Sequence, residues 1–521
     1  MCTRIVRSLA VLGMASFTLP CGRAQDVLWT FDGEQERGVF AHSVAGPGDL
    51  DGDGHADLIV GSLWGYPNSN GRVYVYSGRT GQTIFVYTGG PSDGLARSMA
   101  LGDLDGDGVN EFVLGAIYSD YQGWDQAGQA HVYSGRTGLN LYSFGGEGQE
   151  NHFGASLANA GDIDGDGVSD ILIGAPSYAS FSPVFRIGKV YVYSGKTGAL
   201  LRTGMGENEY DAFGGRCDGG KDLDGDGVSD QVFHADPGLF SQGKVYAFSG
   251  KDGHLLFSRT GSNGYDLGFG LSLISDLSGD ARPEILAGAP GFPGDRSGLG
   301  AVFIYSGADG GLIDTLVGEF ANDYFGASVA RLGDVSGDLV EDFAVGAIYF
   351  DGGYTDRGAV YLYSGRTRKL LYRFVGVDES SFAGLGVSLS FAGDVNADGF
   401  YDLIAGASGY QVARGRALVL AGNDLFLQAE PSSVKEGEVL VLATRGGASG
   451  GMVLLALTAV NGAPLFVPFL LGALDGYGDH TLAATVPQGL AGLELSVTAF
   501  ATRHGGGVAD SSPATITITS Q

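Results

Sequence analysis

One acidic segment recurs seven times along this chain, and that repeat limits the architectures open to it. The segments begin at Asp49, Asp103, Asp162, Asp222, Asp276, Asp334 and Asp394, at intervals of 54, 59, 60, 54, 58 and 60 residues. A period of this kind marks an array of similar units rather than one irregular core. The third unit shows the internal order. F-G-A-S-L-A-N-A-G at 153–161 precedes the acidic D-I-D-G-D-G-V-S-D, followed by I-L-I-G-A-P, a variable loop and G-K-V-Y-V-Y-S-G-K-T-G-A-L-L. The pieces I-L-I-G and V-Y-V-Y are β-branched or aromatic and bounded by glycine, which is strand composition. S-G-K-T-G reads as a turn joining two strands. Each unit therefore holds four short strands: one before the acidic loop, one after it, the V-Y-V-Y strand, and one after the S-G-x-T-G turn. No stretch sustains a helical period.

Four antiparallel strands per repeat describe a propeller blade. A single blade cannot bury both its faces, whereas seven arranged around an axis cover one another and close into a ring. The expected fold is thus all-β, a seven-bladed β-propeller. The ends of the array fit closure. The seventh unit has a third strand at Arg416 to Leu420 but no matching fourth. A fourth-strand-like piece, V-L-W-T-F-D-G at 27–33, stands before the first unit and parallels L-L-Y-R-F-V-G at 370–376. Residues 27–31 are expected to complete the last blade.

The acidic loops carry the chemistry. The first four read D-x-D-G-D-G-x-x-D/E. Ca²⁺ takes six to eight oxygens at about 2.3–2.6 Å, which requires a tightly curled backbone. Alternating aspartates aim carboxylates inward, and the glycine at position 6 permits the turn. The expected side-chain ligands are Asp49, Asp51, Asp53 and Asp57; Asp103, Asp105, Asp107 and Glu111; Asp162, Asp164, Asp166 and Asp170; and Asp222, Asp224, Asp226 and Asp230. The residue at position 7 (His55, Val109, Val168, Val228) would supply its carbonyl. Loop five offers Asp276, Ser278, Asp280 and Glu284, and loop six Asp334, Ser336, Asp338 and Asp342. Both lose the position-6 glycine, to Ala281 and Leu339, and are expected to bind more weakly or not at all. Loop seven offers Asp394, Asn396, Asp398, the Phe400 carbonyl and Asp402. An EF-hand is rejected, because position 12 of the first loop is Val60, inside a strand.

Composition supports this reading. The formal charge is −29, from 59 acidic and 30 basic residues, and 25 of the acids stand in the seven loops. Carboxylates crowded in this way repel without a cation. The charge argues against nucleic acid and against an anionic membrane surface as partners. Glycine is abundant at 92 residues but has no collagen period, so it reads as turn glycine. Residues 1–24 read as a secretory signal: a basic start with Arg4 and Arg7, an apolar run from Leu9 to Leu19, and small residues Gly22 and Ala24 before the cut. Cys217 would then be the lone cysteine, leaving metal rather than disulfides as the staple of an exported fold. The propeller is expected over 25–422. Residues 423–521 lack acidic loops and read as strands between glycine-rich turns, a small immunoglobulin-like β-sandwich.

The F-G-A-S at 153–156 and 325–328, the F-G-G-R at 213–216, the G-A-P at 174–176 and 288–290, and the intervening D-x-D-G-D-G loops resemble the FG-GAP repeat, the unit of integrin α-subunit propellers. The resemblance covers residues 27–422; F-A-H-S at 40–43, L-A-R-S at 95–98 and H-A-D at 234–236 depart from it. It implies structural Ca²⁺ on one face and ligand binding on the other, where the loops between second and third strands are aromatic: Trp64, Tyr66, Tyr118, Tyr121, Trp124, Tyr178, Phe181, Phe240, Phe292, Tyr349, Tyr354 and Tyr410. The eight histidines are scattered, and no H-E-x-x-H, G-x-S-x-G or P-loop occurs. The expected function is a secreted or cell-surface adhesion module binding a protein or carbohydrate, not an enzyme. A polysaccharide lyase or hydrolase acting in the funnel, and a structural surface-layer component, are the alternatives.

Overall fold

A computed structural model describes residues 27–422 apart from residues 35, 64–69, 179–185, 209, 237–240, 295–297, 337, 352–355, 377–383 and 410–413. Beyond 422 it describes the backbone of the strands. The expected signal at 1–24 lies outside the described residues, and no helix occurs among the described residues.

Seven antiparallel sheets of four strands follow the repeat. The first blade runs Phe40–Gly48, Asp57–Ser62, Arg72–Tyr76 and Thr83–Thr88, paired in that order. The first strands of neighbouring blades touch one another from blade one through blade seven and back to blade one, so they line the axis of a closed ring. The outer strands alternate between exposed and half-buried residues, as Thr83–Thr88 shows, while the second strands are buried almost throughout. This is the seven-bladed propeller expected from the repeat.

The apolar core lies between blades rather than within them. Ile59, Val73 and Val75 of blade one pack with Phe112 and Leu114 of blade two, and Leu172, Val190 and Val192 of blade three with Phe233 and Tyr246 of blade four. The glycine of G-A-P explains itself at this seam. A Cβ on Gly174 would stand 2.1 Å from the Gly214 carbonyl oxygen of the next blade, so any side chain would push the blades apart.

A strand ahead of the first blade closes the ring. Val27–Asp32 pairs antiparallel with Arg416–Leu420 as the fourth strand of the last blade, with Trp29 opposite Val419 and Asp32 opposite Arg416. Arg416 grips Asp32 with two nitrogens, at 2.6 and 3.0 Å. The C-terminal unit holds two further sheets. Leu425–Glu430, Val439–Gly446 and His480–Thr485 form one. Ser433–Lys435, Ala514–Thr519, Glu494–Thr502, Met452–Val460 and Ala463–Ala473 form the other in that order, with Val508–Asp510 paired to Glu494–Thr502. They make the small β-sandwich anticipated from its strand pattern.

Candidate metal centres

Each acidic loop joins the first strand of a blade to the second. Its position-1 carboxylate sits inside the curl and gathers the backbone. In loop one, Asp49 accepts from the amides of Gly52 at 2.8 Å, Asp53 at 3.1 Å and Gly54 at 2.8 Å. Asp53 in turn accepts from the His55 amide at 3.0 Å. Loops two and three repeat this pattern around Asp103 and Asp162. Position 6 is left-handed, with φ of 88° at Gly54 and 87° at Gly167, a conformation that favours glycine.

This curl brings carboxylates together. One oxygen from each of Asp49, Asp51 and Asp53 falls within 4.8 Å of the other two. The same holds for Asp103, Asp105 and Asp107, for Asp162, Asp164 and Asp170, for Asp222, Asp224 and Asp226, and for Asp276, Asp280 and Glu284. Oxygens bound to one Ca²⁺ at about 2.4 Å can be at most about 4.8 Å apart, so these oxygen-only trios fit the ion. Loop five thus converges like the first four although Ala281 replaces glycine; the backbone takes the left-handed turn anyway, with φ of 65°. Leu339 in loop six does likewise at 67°. Among the described residues no such trio forms in loops six and seven. There Asp334 still collects the amides of Asp338 and Leu339, and Asp394 those of Asp398 and Gly399. Ser336 is buried, and the Asn396 oxygen accepts from the Asp398 amide at 3.0 Å.

The position-9 carboxylate has a second task, not foreseen in the sequence reading. Asp57, Glu111, Asp170, Asp230, Glu284, Asp342 and Asp402 are all fully buried. Asp170 accepts from the Ile163 amide at 2.8 Å and from the Gly195 amide at 3.0 Å. It therefore staples the acidic loop to the S-G turn between the third and fourth strands. Asp57 links Leu50 to Gly78 and Asp230 links Leu223 to Gly250 in the same way. The signal was present: every S-G turn is paired with a position-9 acid in its own repeat. Burial pushes these carboxyls up, to about 6 at Asp57, Asp170 and Asp230 and to about 7 at Glu111 and Glu284, and neighbouring loop carboxylates push the same way. At position 7 the amides of Val109, Val168, Val228 and Phe400 bond to the position-5 aspartate. The His55 ring leaves its own loop and bonds the Val395 carbonyl at 2.8 Å, tying blade one to blade seven.

The opposite end of the blades carries the second-to-third-strand loops. Of the aromatics expected there, Trp124 and Tyr349 are exposed, whereas Phe292 packs on Tyr265 and Phe303, and Lys189 sits over Tyr178. Trp64, Tyr66, Phe181, Phe240, Tyr354 and Tyr410 lie outside the described residues. A cleft of about 810 Å³ opens here, lined by Asp93, Tyr118, Asp120 and Asp125. Cys217 is a free thiol, pushed up to about 12 by burial.

Fold and site together define a propeller whose blades each present a curled acidic loop at one end. The comparisons with known proteins agree with that class. A model of the FG-GAP-like repeat matches residues 49–114, and one of the FG-GAP repeat matches residues 153–193 and 385–420. Integrin alpha-5 of Xenopus laevis is 34% identical over 212 residues, covering 37% of this chain and 20% of the relative. Integrin alpha-V of Gallus gallus is 34% identical over 206 residues, with the same coverage of 37% and 20%. Integrin alpha pat-2 of Caenorhabditis elegans is 30% identical over 224 residues, 38% of this chain and 18% of the relative. The matched part thus spans about a fifth of the length of these relatives. Over the matched residues the chain carries FG-GAP repeats and is similar to integrin α subunits.

Proposed function

We propose that this chain is a secreted or cell-surface propeller that Ca²⁺ holds rigid, and that it binds an extracellular protein or carbohydrate on the face away from the acidic loops. The observation that carries the reading is the convergence of three carboxylate oxygens in each of five loops. Asp49, Asp51, Asp53 and their counterparts would hold the ion, with the position-9 acid completing the shell in loops three and five. Position-7 carbonyls, from His55 to Phe400, would supply the remaining protein oxygen. The ion would offset the repulsion of crowded carboxylates and lock the first two strands of each blade. Binding, rather than catalysis, is supported by the integrin α relatives and by the employment of the clustered carboxylates in the loops, which leaves them unsuited to general acid/base work.

The test is a thermal melt followed by circular dichroism in millimolar Ca²⁺ and in excess EDTA. Ligands that bind only the folded state raise the melting temperature by mass action. With several sites, a drop of ten degrees or more on chelation is expected (each site contributes about 2–4 kcal/mol at 100–1,000 times its Kd). An unchanged melting temperature would exclude the structural role of the ion.

A further inference from the structure

We propose that the mouth of the axial channel, at the end of the blades away from the acidic loops, receives a single carboxylate from a protein ligand, held by Arg97 and Arg216. This deepens the reading of that face as the ligand face and rests on it.

The site arises from a departure in the repeat. Opposite the G-A-P glycine, on the first strand, blades one, three, six and seven carry Ser43, Ser156, Ser328 and Ser388, facing Gly61, Gly174, Gly346 and Gly406. Each serine hydroxyl donates to a carbonyl of the next blade: Ala96, Gly214, Gly386 and, closing the ring, Ala41. In blades two and four the same seat holds arginine: Arg97 faces Gly115, and Arg216 faces His234. A guanidinium is too long for that short bond, and Arg216 instead lies 5.4 Å from the Phe269 ring of blade five. Arg216 of blade four, Arg97 of blade two and His42 of blade one all stand on first strands, which line the axis. Side chains from such separated blades meet only at the axis.

Both arginines lack a carboxylate among the described residues. Arg216 donates only to the carbonyl of its neighbour Gly215, at 3.1 Å, and the Arg97 Nε is buried with no hydrogen-bond partner. The Nε2 of His42 is likewise buried and unpartnered. Nearer the acidic loops the axial cations are matched: Arg331 with Asp218 and Lys221 with Glu341, each at 3.0 Å. Yet neither Arg97 nor Arg216 is sealed in the core: both are half-buried. Two unneutralised guanidiniums in the same seat of the axis-lining strands repel each other, and the planar fork of each matches a carboxylate. The rest of the surface selects the ligand further. A chain of net charge −29 repels a polyanion, whereas one acidic side chain can enter the channel.

Ligand-detected NMR titration of the full chain in millimolar Ca²⁺ tests this. The probes are N-acetylaspartate α-amide, its asparagine analogue and glucuronate. The variant is Arg97→Ser with Arg216→Ser, which installs the residue that four other blades carry in this seat. Saturable binding of the aspartyl probe, none of the asparagine analogue, and a loss of about tenfold or more in the double variant are expected, since a charge-assisted bond of this kind is worth at least a factor of ten. No saturable binding by the unaltered chain, or equal binding by the variant, would overturn the proposal. Tighter binding of glucuronate than of the aspartyl probe would overturn the assignment to a protein side chain. Arg97→Gln with Arg216→Gln, closer in size, serves should the serine pair fail to fold. Because the EDTA melt involves neither arginine, a lost carboxylate site is distinguishable from a failed reading of the propeller as a Ca²⁺-stabilised binder.

Discussion

At the scale of single residues, the acidic loop divides its carboxylates between two tasks. Asp164, at position 3 of loop three, is exposed, and in the proposed reading it serves a cation. Asp170, at position 9, is fully buried and holds the Ile163 and Gly195 amides. The two tasks separate when the metal is removed. In excess EDTA at pH 8, Asp170→Asn keeps one acceptor oxygen but turns an amide donor on the other of the two backbone donors, and is expected to cost about 2 kcal/mol, the penalty for a buried hydrogen bond to a charged group left unmade. Asp164→Asn under the same conditions relieves carboxylate repulsion and is expected to leave stability equal or slightly higher. In Ca²⁺ both variants lose stability. Urea unfolding in the two buffers measures this, and equal behaviour of the variants in EDTA would remove the staple from the account. The ligand pattern was legible because Asp-x-Asp-Gly-Asp-Gly is a local signal with a local cause. The staple was not, because its partner amide lies 25 residues on, across a strand pair. Nor was the shape of loop five: the missing glycine argued against the turn, yet the flanking strands hold Ala281 left-handed at φ 65°.

At the scale of strands, the sequence repeat carried most of the fold. Periodic strands, turns and loops imply blades, and the count of acidic loops implies seven. The seam residues were legible as motifs but not as geometry, since a G-A-P glycine acquires its meaning only when the next blade's carbonyl stands 2.1 Å from its missing Cβ. The closing strand was legible from its likeness to 370–376. Its importance follows from the core: Phe31 stacks on Tyr76 with centroids 4.2 Å apart, and the Trp29 indole donates to the Gly78 carbonyl at 2.6 Å. The strand therefore joins blade one to blade seven as well as completing the latter. Deleting residues 25–33 leaves Arg416–Leu420 as an open edge and breaks that seam. A fall of at least about 10 °C in melting temperature is expected, from the loss of buried Phe31 (about 3–5 kcal/mol for a core aromatic), of half-buried Trp29 and of a whole strand edge. An unchanged melt in Ca²⁺ would show that the ring does not depend on this closure.

At the scale of the whole molecule, the proposed metal and the net charge would be coupled. The chain carries −29, and 25 of its acids stand in loops that emerge at one end of the blades. Without cations that end is a concentrated negative field, and self-repulsion opposes the compact ring. Monovalent salt weakens such repulsion over a Debye length that shortens from about 10 Å at 0.1 M to about 3 Å at 1 M. Ca²⁺ held in the loops as proposed would remove much of the same repulsion at its source, so the two remedies would overlap. The expected outcome is an interaction rather than a uniform salt effect. In EDTA, raising NaCl from about 0.05 to 0.5 M increases the melting temperature by several degrees, because screening acts on unneutralised loops. In millimolar Ca²⁺ the same change shifts it much less, and competition by Na⁺ for the loops acts in the opposite direction. Melts in the four combinations of salt and Ca²⁺ read this directly. Parallel salt shifts with and without Ca²⁺ would mean that the loop carboxylates do not dominate the electrostatic strain of the ring, and that its acidity serves solubility alone.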